Sequence, residues 1–561
     1  MSKIITQTEE QIKNIVANAT DKAIACGELP NAPVPMFTVQ IPSDRNHGDY
    51  SVNAAMTGAR SFKMPPQKIA EIMVKHFDFN DTFIESTQIA GGFINFKIKD
   101  RFYAAMLEDI SENGENYGKS DLYNGKKVLV EFVSANPTGP MHIGNARGGA
   151  LGDGIASLLS MTGYETHREF YINDSGNQME KLANSLNVRY LQLFDESIEM
   201  PEDAYHGEDI TEHAKNFERN YGDKFVKANE DERKNALVDY ALPINIQTLH
   251  DDLLAYRIKY DLWFRESTVH KSGDVERVIQ LLKESGYTYE SEGALWFKAT
   301  DFGCEKDFVL VRSNGIPTYV VPDIAYHYNK LVVRGFDLCI NVLGADHHGY
   351  ISRLSTSLKA LGYGEDRLRF MIYQMVRLVR DGVTVKASKR TGGAITLATL
   401  LDEVPVDAAR FFFNMREPNT HFDFDLDLAI EQSADNPVFY VQYAHARICS
   451  IIRNLASENI EKKNLTIEEL SVLTTPEEKE LIRHLGAYSG EIIKGANELN
   501  PSVITRYTLE LAAKFHKFYN SCRVKGETDE ILYPRLYLCD AVKSVLKNAL
   551  SLLKIDAPEA M

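Results

Sequence analysis

The stretch from Lys127 to Ile172 constrains the fold more than any other part of the chain. It opens with a compact apolar run, KVLVEFVS at 127–134, which predicts a buried strand. A loop rich in Pro and Gly follows at 136–140, and 143–161 then has a helical pattern rich in Gly and Ala. A second strand is predicted over Thr166–Ile172. This order of strand, loop, helix and strand is the seed of a doubly wound parallel sheet.

The 561 residues are too many for one ordinary core, so we expect several domains. We predict an α/β protein whose doubly wound parallel-sheet domain occupies 119–401. An N-terminal α+β module over 1–118 precedes it, and a C-terminal all-α helix bundle over 402–561 follows. Residues 185–290 are mostly helical and charged, and we interpret them as an insertion in the central domain.

Local patterns predict the elements of these parts. Ile4–Ala25 has helical spacing, and Thr87–Ile98 predicts a strand pair broken at Gly91-Gly92. Further strands are predicted at Phe308–Val311, Leu338–Val342 and Phe370–Val376. Long amphipathic helices are predicted at 436–457, 475–498, 501–523 and 533–553.

The net charge of -17 argues against broad, unselective binding of nucleic acid. The charge is unevenly spread, however, because 431–561 contains 16 Lys and Arg against 18 Asp and Glu. The composition therefore does not exclude a local group of basic residues that binds one folded RNA.

Six scattered cysteines form no Cys-x-x-Cys pair, so neither a zinc site nor a disulfide framework is expected. Without a long apolar run or a signal peptide, we expect a cytoplasmic protein and no membrane partner.

The loop at 135–145 lies between the predicted strand and helix, where open α/β sheets bind nucleotides. Gly139 and Gly144 permit close approach of a ligand to the backbone. The helix that follows offers free N–H groups and a positive dipole to a phosphate, and His142 can donate a hydrogen bond to it. A Pro/Gly turn with a capping polar residue would give the same pattern, and the motif alone does not decide between the two.

The segment VEFVSANPTGPMHIGNARGGALGD resembles the nucleotide-binding signature of class I aminoacyl-tRNA synthetases, and within them the arginyl branch. The resemblance implies that Pro140, His142, Gly144 and Asn145 bind ATP, with His142 and Asn145 acting in catalysis. Asn145 departs from the family, which has a second His there. Asn can still donate a hydrogen bond but cannot carry positive charge.

Lys386-Ala387-Ser388-Lys389-Arg390 resembles the second phosphate-binding motif of the same class, with Ala387 in place of the usual Met. The resemblance implies that Lys386, Ser388 and Lys389 bind ATP and that the two lysines are catalytic. Ammonium groups beside a leaving pyrophosphate suit this chemistry, on a loop that can close. A Lys/Arg cluster alone would more simply be a solvated turn or an RNA-facing patch.

The paired motifs imply adenylation, in which an amino-acid carboxylate attacks the α-phosphorus of ATP and magnesium pyrophosphate leaves. The 2′-hydroxyl of the terminal adenosine of tRNA would then take the aminoacyl group. The resemblance places 344–350 on the adenosine side, with Asp346 and His347 as ribose or base contacts. Two adjacent His residues beside an Asp do not by themselves make a metal site, and no permanent metal is expected.

Arginine is a planar cation with five donors, so its site needs carboxylate and an aromatic wall. The resemblance assigns Asp323 to the guanidinium and Tyr319 to a supporting hydrogen bond. It assigns the backbone end of the substrate to Glu131, Ser134 and Asn136. The alternative is that Tyr319 is a core aromatic and Asp323 an N-cap.

The two terminal parts are expected to bind tRNA. The resemblance implies that 1–118 contacts the outer corner of the tRNA and that 402–561 binds the anticodon. Aromatics mixed with cations favour base stacking, which singles out Tyr443, Arg447, Tyr519 and Arg523. The alternative is that most aromatics there are bundle core.

The function that follows is ATP-dependent ligation of L-arginine to tRNA(Arg), by a chain expected to be a monomer. Two other hypotheses stay open. One is a class I synthetase for another amino acid. The other is a non-catalytic, synthetase-like RNA-binding protein, which loss of His142, Lys386 or Lys389 would mark. All three residues are present.

Overall fold

The structure is a computed structural model that describes residues 2–33, 36–42, 44–345, 348–385 and 395–561. Its N-terminal part is a four-stranded antiparallel sheet covered by helices, in the strand order β1-β2-β4-β3. The elements are α1 (Lys3–Ala25), β1 (Val39–Gln40), β2 (Tyr50–Val52), α2 (Ala54–Phe62), α3 (Pro66–Lys75), β3 (Ile84–Ala90), β4 (Phe93–Ile98) and α4 (Asp100–Asn113). The predicted first helix and the predicted strand pair are confirmed. The turn at Gly91-Gly92 uses positive φ at both glycines, which explains the residue type.

The central part is a five-stranded parallel sheet with helices packed on it. Its elements begin with β5 (Lys127–Glu131), α5 (Ile143–Met161), β6 (Glu165–Ile172), α6 (Asn177–Gln192), α7 (Glu208–Tyr221), α8 (Glu230–Ala255), β7 (Leu262–Arg265), α9 (Glu266–Lys271) and α10 (Asp274–Glu284). They continue with β8 (Thr288–Ser291), β9 (Ala294–Phe297), β10 (Phe308–Val311), α11 (Val320–Tyr328), β11 (Leu338–Gly344), α12 (His348–Ala360) and β12 (Leu368–Tyr373). The strand order is β12-β11-β5-β6-β7, which confirms the predicted doubly wound architecture.

Two strands of the central part differ from expectation. The strand at Phe308–Val311 exists, but it belongs to a separate antiparallel sheet in the order β10-β9-β8. The range 185–290 also contains β7, which pairs in parallel with β6 at the edge of the central sheet. Only the first half of that range behaves as an insertion: α6, α7 and α8 share a small hydrophobic core of their own.

The C-terminal part is a helix bundle preceded by a small three-stranded sheet. Its elements are β13 (Val376–Arg380), β14 (Val383–Thr384), α13 (Leu397–Glu403), α14 (Val406–Met415), β15 (Phe422–Asp425), α15 (Leu426–Ile430), α16 (Pro437–Ala456), α17 (Ile467–Leu470), α18 (Pro476–Glu498), α19 (Ser502–Ser521) and α20 (Asp529–Leu552). The four long predicted helices are confirmed. The predicted all-α part nevertheless contributes one strand, because β15 pairs in parallel with β13.

A buried ionic cluster joins this bundle to the central sheet. The guanidinium of Arg410 donates to Asp153 Oδ2 at 2.5 Å and to the Leu553 and Tyr256 carbonyls at 2.7 and 2.9 Å. Asp153 also accepts from Arg168 Nε at 2.9 Å. Helix α5, which follows the predicted nucleotide loop, is thereby tied to the end of the last bundle helix. Within the described parts of the chain, no helix combines the length and apolar character that a bilayer crossing needs.

Candidate active site

A crevice suited to a nucleotide lies where the strand order of the central sheet reverses. From β5 the chain continues to β6 and β7 on one side, whereas β11 and β12 lie on the other. Open parallel sheets bind ligands at the carboxyl ends of the strands beside such a point. The β5–α5 loop, residues 132–142, leaves β5 at this edge and leads into the N-terminus of α5. The predicted nucleotide loop therefore has the expected place in the fold.

The start of the β5–α5 loop has an unusual backbone. Val133 and Ser134 both adopt positive φ, at 68° and 43°. Such strain persists only where the surroundings hold it, and it is common at functional sites. Here the Ser134 hydroxyl donates to Glu131 Oε1 at 3.0 Å and accepts from the backbone N–H of Tyr171 at 3.1 Å.

His142 occupies the position just before α5. Its side chain is exposed and makes no capping hydrogen bond, so the alternative of a simple capping residue has no support. Gly144 and Asn145 lie in the first turn, half-buried, and Pro140 is exposed before them. The first-turn N–H groups of α5 point to a site for an anionic ligand at this helix mouth.

Two glycines of α5 are required by packing. A methyl group on Gly152 would lie 2.3 Å from the Phe132 ring, and one on Gly148 would lie 2.6 Å from the Tyr373 hydroxyl. The helix thus packs unusually close to β5 and β12. This close packing fixes the direction in which its N-terminus points.

The second motif lies outside the described residues, which omit 386–394 and so Lys386, Ser388 and Lys389. Asp346 and His347 lie outside them as well. The residues flanking the second motif are described. Thr396 forms an isolated antiparallel bridge with His142, and the Leu397 N–H donates to the Met141 carbonyl at 2.8 Å. The chain just after the second motif is therefore paired with the first motif.

The predicted arginine pocket lies on α11. The helix begins at Val320, so Asp323 is inside its first turn and is not its N-cap. Tyr319 has 63% of its surface exposed and is not a core aromatic. Both alternatives for this pair are wrong. The Asp323 carboxylate is half-buried and hydrogen-bonded by Tyr350, and its backbone carbonyl accepts from His327 Nδ1 at 2.8 Å.

Four carboxylates surround the buried end of β6. Glu131, Asp174, Glu266 and Asp323 all act on the Tyr171 hydroxyl, whose pKa is raised by burial and then by these charges. Burial also raises the pKa of Glu266. For Asp323, burial first and then Glu266 and Glu131 raise the pKa to about 7, against the hydrogen bond from Tyr350. The site is thus electrostatically suited to a cation.

Only part of this negative charge is balanced. Lys330, fully buried, donates to Glu131 Oε2 at 2.5 Å. Asp174 accepts from the backbone and hydroxyl of Ser267 at 2.8 and 2.9 Å, and its Oδ2 lies 3.8 Å from Arg265 Nη1. Glu266 Oε1 lies 3.5 Å from His270 Nε2, but across the described chain neither Asp323 nor Glu266 forms an ion pair with a lysine or arginine. Both oxygens of Glu131 are already engaged, by Lys330 and by Ser134.

Two residues of this site, Glu266 and Lys330, were not among the predicted ones. Glu266 follows β7 directly, so a polar residue just after an apolar strand could have signalled it. It was overlooked because β7 lies in the range assigned to an insertion. No local sequence pattern indicates that Lys330 belongs to the site, because its partner Glu131 is 199 residues away in the chain.

The predicted tRNA-binding residues largely come together on the bundle. The Arg447 guanidinium lies 4.9 Å from the Tyr443 ring centre and 5.3 Å from that of Tyr519. Both tyrosines are 38% exposed, whereas Phe515 and Phe518 are fully buried core residues. Arg523 is exposed beyond α19 and is not part of this described cluster. The bundle therefore presents two aromatic faces around one cation on α16 and α19.

Comparison with known proteins assigns the chain to a family. The family model described as "tRNA synthetases class I (R), catalytic domain" matches residues 107–449. The chain belongs to the class I arginyl-tRNA synthetases. This confirms the resemblance stated from the motifs. Two further family models match the ends of the chain. The model described as "Arginyl tRNA synthetase N terminal domain" matches residues 10–98, and the model described as "DALR anticodon binding domain" matches residues 441–561.

Full-length relatives carry the same family name. The arginine–tRNA ligase of Caldanaerobacter subterraneus subsp. tengcongensis is 51% identical over 562 residues, and that of Acetivibrio thermocellus is 49% identical over 564. Each alignment covers 100% of this chain and 100% of the relative. The arginyl-tRNA synthetase structure from Thermus thermophilus has a TM-score of 0.73 at 23% identity, covering 97% of this chain and 99% of that chain. That likeness shows a shared fold.

Proposed function

We propose that the chain catalyses ATP-dependent ligation of L-arginine to tRNA(Arg) through an arginyl-adenylate, releasing AMP and pyrophosphate. One observation carries the choice of amino acid. The carboxylates of Asp323 and Glu266 lie in the crevice without a lysine or arginine partner among the described residues. An arginine side chain supplies a guanidinium that both can share.

The pocket residues divide between the two ends of arginine. Asp323 and Glu266 hold the guanidinium, and the exposed Tyr319 helps by hydrogen bonding. Asn136, exposed on the β5–α5 loop, and Ser134 hold the backbone end. Glu131, engaged by Lys330, acts on that end chiefly by fixing Ser134. A lysine substrate would leave acceptors of this site unfilled, which is a strong basis for rejection.

ATP lies across the mouth of α5. Pro140, Gly144 and the first-turn N–H groups hold phosphate, and His142 and Asn145 donate hydrogen bonds to it. Lys386, Ser388 and Lys389 supply the second half of the clamp, while Asp346 and His347 contact the adenosine. Magnesium enters with the ATP phosphates, the usual mode for this ion.

The reaction proceeds in two displacements. A carboxylate oxygen of arginine attacks the α-phosphorus, a new P–O bond forms, and the bond to pyrophosphate breaks. The 2′-hydroxyl of the terminal adenosine then attacks the arginyl carbonyl, and AMP leaves with the former carboxylate oxygen. The protein contributes position and positive charge where charge develops on the leaving group.

The test is aminoacylation of total tRNA with each amino acid in turn. Only arginine should give acid-precipitable product, and it should do so with ATP and magnesium present. Pyrophosphate exchange is measured with tRNA included. Charging by another amino acid, or binding of tRNA without charging, would favour one of the two other hypotheses.

Arginine binding is expected to weaken as the pH falls below about 7. The pKa of Asp323 is raised to about 7, so its carboxyl becomes protonated below that pH and loses its attraction for a guanidinium. Arginine remains a cation throughout, so the affinity should fall up to about tenfold per pH unit and level off above pH 7. Binding near neutral pH should release a fraction of a proton, measurable by calorimetry in buffers of different ionisation enthalpy. Proton uptake, or a pH-independent affinity, would contradict this.

Arg447→Ala is expected to raise KM for tRNA about tenfold, the scale of one lost stacking contact, with KM for arginine unchanged. The guanidinium lies over the rings of both Tyr443 and Tyr519, and the Tyr443 hydroxyl accepts from Arg447 Nη2 at 3.0 Å. Arg447→Lys keeps the charge but loses the planar stacking, so it should recover only part of the loss. Lys525→Ala, on the same bundle but paired with Glu458, serves as the control. Equal KM values for Arg447→Ala and the control would remove this surface from the binding site.

A further inference from the structure

Helix α8 makes a polar contact with the β5–α5 loop. Asn245 of α8 donates from Nδ2 to the Pro137 carbonyl at 3.0 Å. Its Oδ1 lies 2.7 Å from His213 Nε2 on α7. Both side chains are buried, with 6% and 9% of their surface exposed.

The direction of this hydrogen-bond chain follows from its end point. A proline carbonyl can only accept, so the amide nitrogen of Asn245 must face Pro137 and its oxygen must face His213. His213 Nε2 is therefore the donor to Asn245. The chain His213 to Asn245 to Pro137 has one orientation, and it ends five residues before His142.

A second contact approaches the same loop from α7. A methyl group on Gly139 would lie 3.2 Å from Asp209 Oδ2. Asp209 and His213 are one helical turn apart, so they face the loop together. From outside the sheet, the loop is thus hydrogen-bonded at Pro137 and closely approached at Gly139. Its other end is held by close packing of α5 and by the bridge between His142 and Thr396.

We propose that Asn245, oriented by His213, is a positioning residue that sets the place of the β5–α5 loop and hence of His142 on ATP. This inference rests on the proposed function of that loop. Asn245 acts through the Pro137 carbonyl and is assigned no contact with a substrate. A shift of about 1 Å at a reacting group can cost on the order of a hundredfold in rate, so one such bond matters.

Asn245→Asp is the sharpest variant because it is isosteric. The carboxylate still accepts from His213, whereas its second oxygen faces the Pro137 carbonyl, so repulsion between two acceptors replaces the loop hydrogen bond. We expect kcat for arginylation to fall roughly ten- to a hundredfold. KM for tRNA should stay within about twofold, and the melting temperature within about 3 °C. Gln247→Ala is the matched control, since this exposed amide on the same helix bonds only to Asp251 within the described chain.

A double-mutant cycle of His213 and Asn245 distinguishes positioning of the loop from a contribution to overall stability. His213→Ala should lower kcat less than Asn245→Ala, and adding it to Asn245→Ala should change kcat less than about twofold. Fully additive effects, or a lower melting temperature with unchanged kcat, would overturn the proposal.

Hydrogen–deuterium exchange tests the same contact without any assay of charging. Amides of 135–145 should exchange faster in Asn245→Asp than in Gln247→Ala, with the bundle helices unchanged. Unchanged exchange there overturns the proposal even if the chain ligates arginine. If the unsubstituted protein does not ligate arginine but 135–145 still exchanges faster in Asn245→Asp, the result supports the positioning of the loop by Asn245 and contradicts the proposed function.

Discussion

Asp323→Asn is expected to lower kcat/KM for arginine roughly a thousandfold. The substitution keeps the shape of the side chain and removes the charge. Losing one partner of a buried, hydrogen-bonded charge pair costs about 4 kcal/mol, and each 1.4 kcal/mol is a factor of about ten. The half-buried Asp323 carboxylate, beside Glu266 and hydrogen-bonded by Tyr350, is such a partner once arginine is bound. KM for ATP should change little, because the variant leaves the β5–α5 loop intact.

The measurement is steady-state aminoacylation over a wide range of arginine concentrations, with saturating ATP and tRNA. Asp301→Asn serves as the control because Asp301 is exposed on the same part of the chain. The kcat/KM of Glu266→Gln for arginine should lie between those of Asp323→Asn and the control, which would show which of the two carboxylates contributes more to arginine binding. If Asp323→Asn charges tRNA as well as the control does, the guanidinium site must be elsewhere.

The parts of the fold predicted best from the sequence were those with a long periodic signal. Helix α5 has the bounds predicted for it, and the four long bundle helices agree within a few residues. Strands β7 and β15 were missed because each has only four residues inside a helical stretch. So short a run carries no period of its own, and only pairing with a distant strand makes it part of a sheet.

The active site was predictable where chemistry and motif coincide in a short segment. Asp323 and Tyr319 are four residues apart in one short motif, so both were predicted from the sequence. Lys330 and Glu266 were not, because their roles depend on which carboxylates the folded chain brings near them. Asn245 is the extreme case: an amide in a helical insertion gains a role only when its partner Pro137, 108 residues away, is placed opposite it.

Lys389→Ala is expected to slow the adenylation step about a hundred- to a thousandfold, the scale for losing one preorganised group that stabilises transition-state charge. Lys389 lies outside the described residues, so the expectation rests on the motif and its flanks. Thr396 is bridged to His142, which brings the chain after the motif to the N-terminal end of α5, where we propose that the phosphates bind. The ammonium group is needed most as pyrophosphate departs, so its loss should act on the rate rather than on tRNA affinity.

Single-turnover formation of arginyl-adenylate, followed with tRNA present, measures this step directly. Lys359→Ala is the control, because that lysine is exposed near the C-terminal end of α12 and belongs to neither motif. His142→Ala should also slow the step. If the two groups hold one triphosphate from opposite sides, the effects in the double variant should be less than additive in free energy. Fully additive losses would mean that His142 and Lys389 act independently. An unchanged adenylation rate in Lys389→Ala would mean that the second motif binds RNA and not pyrophosphate.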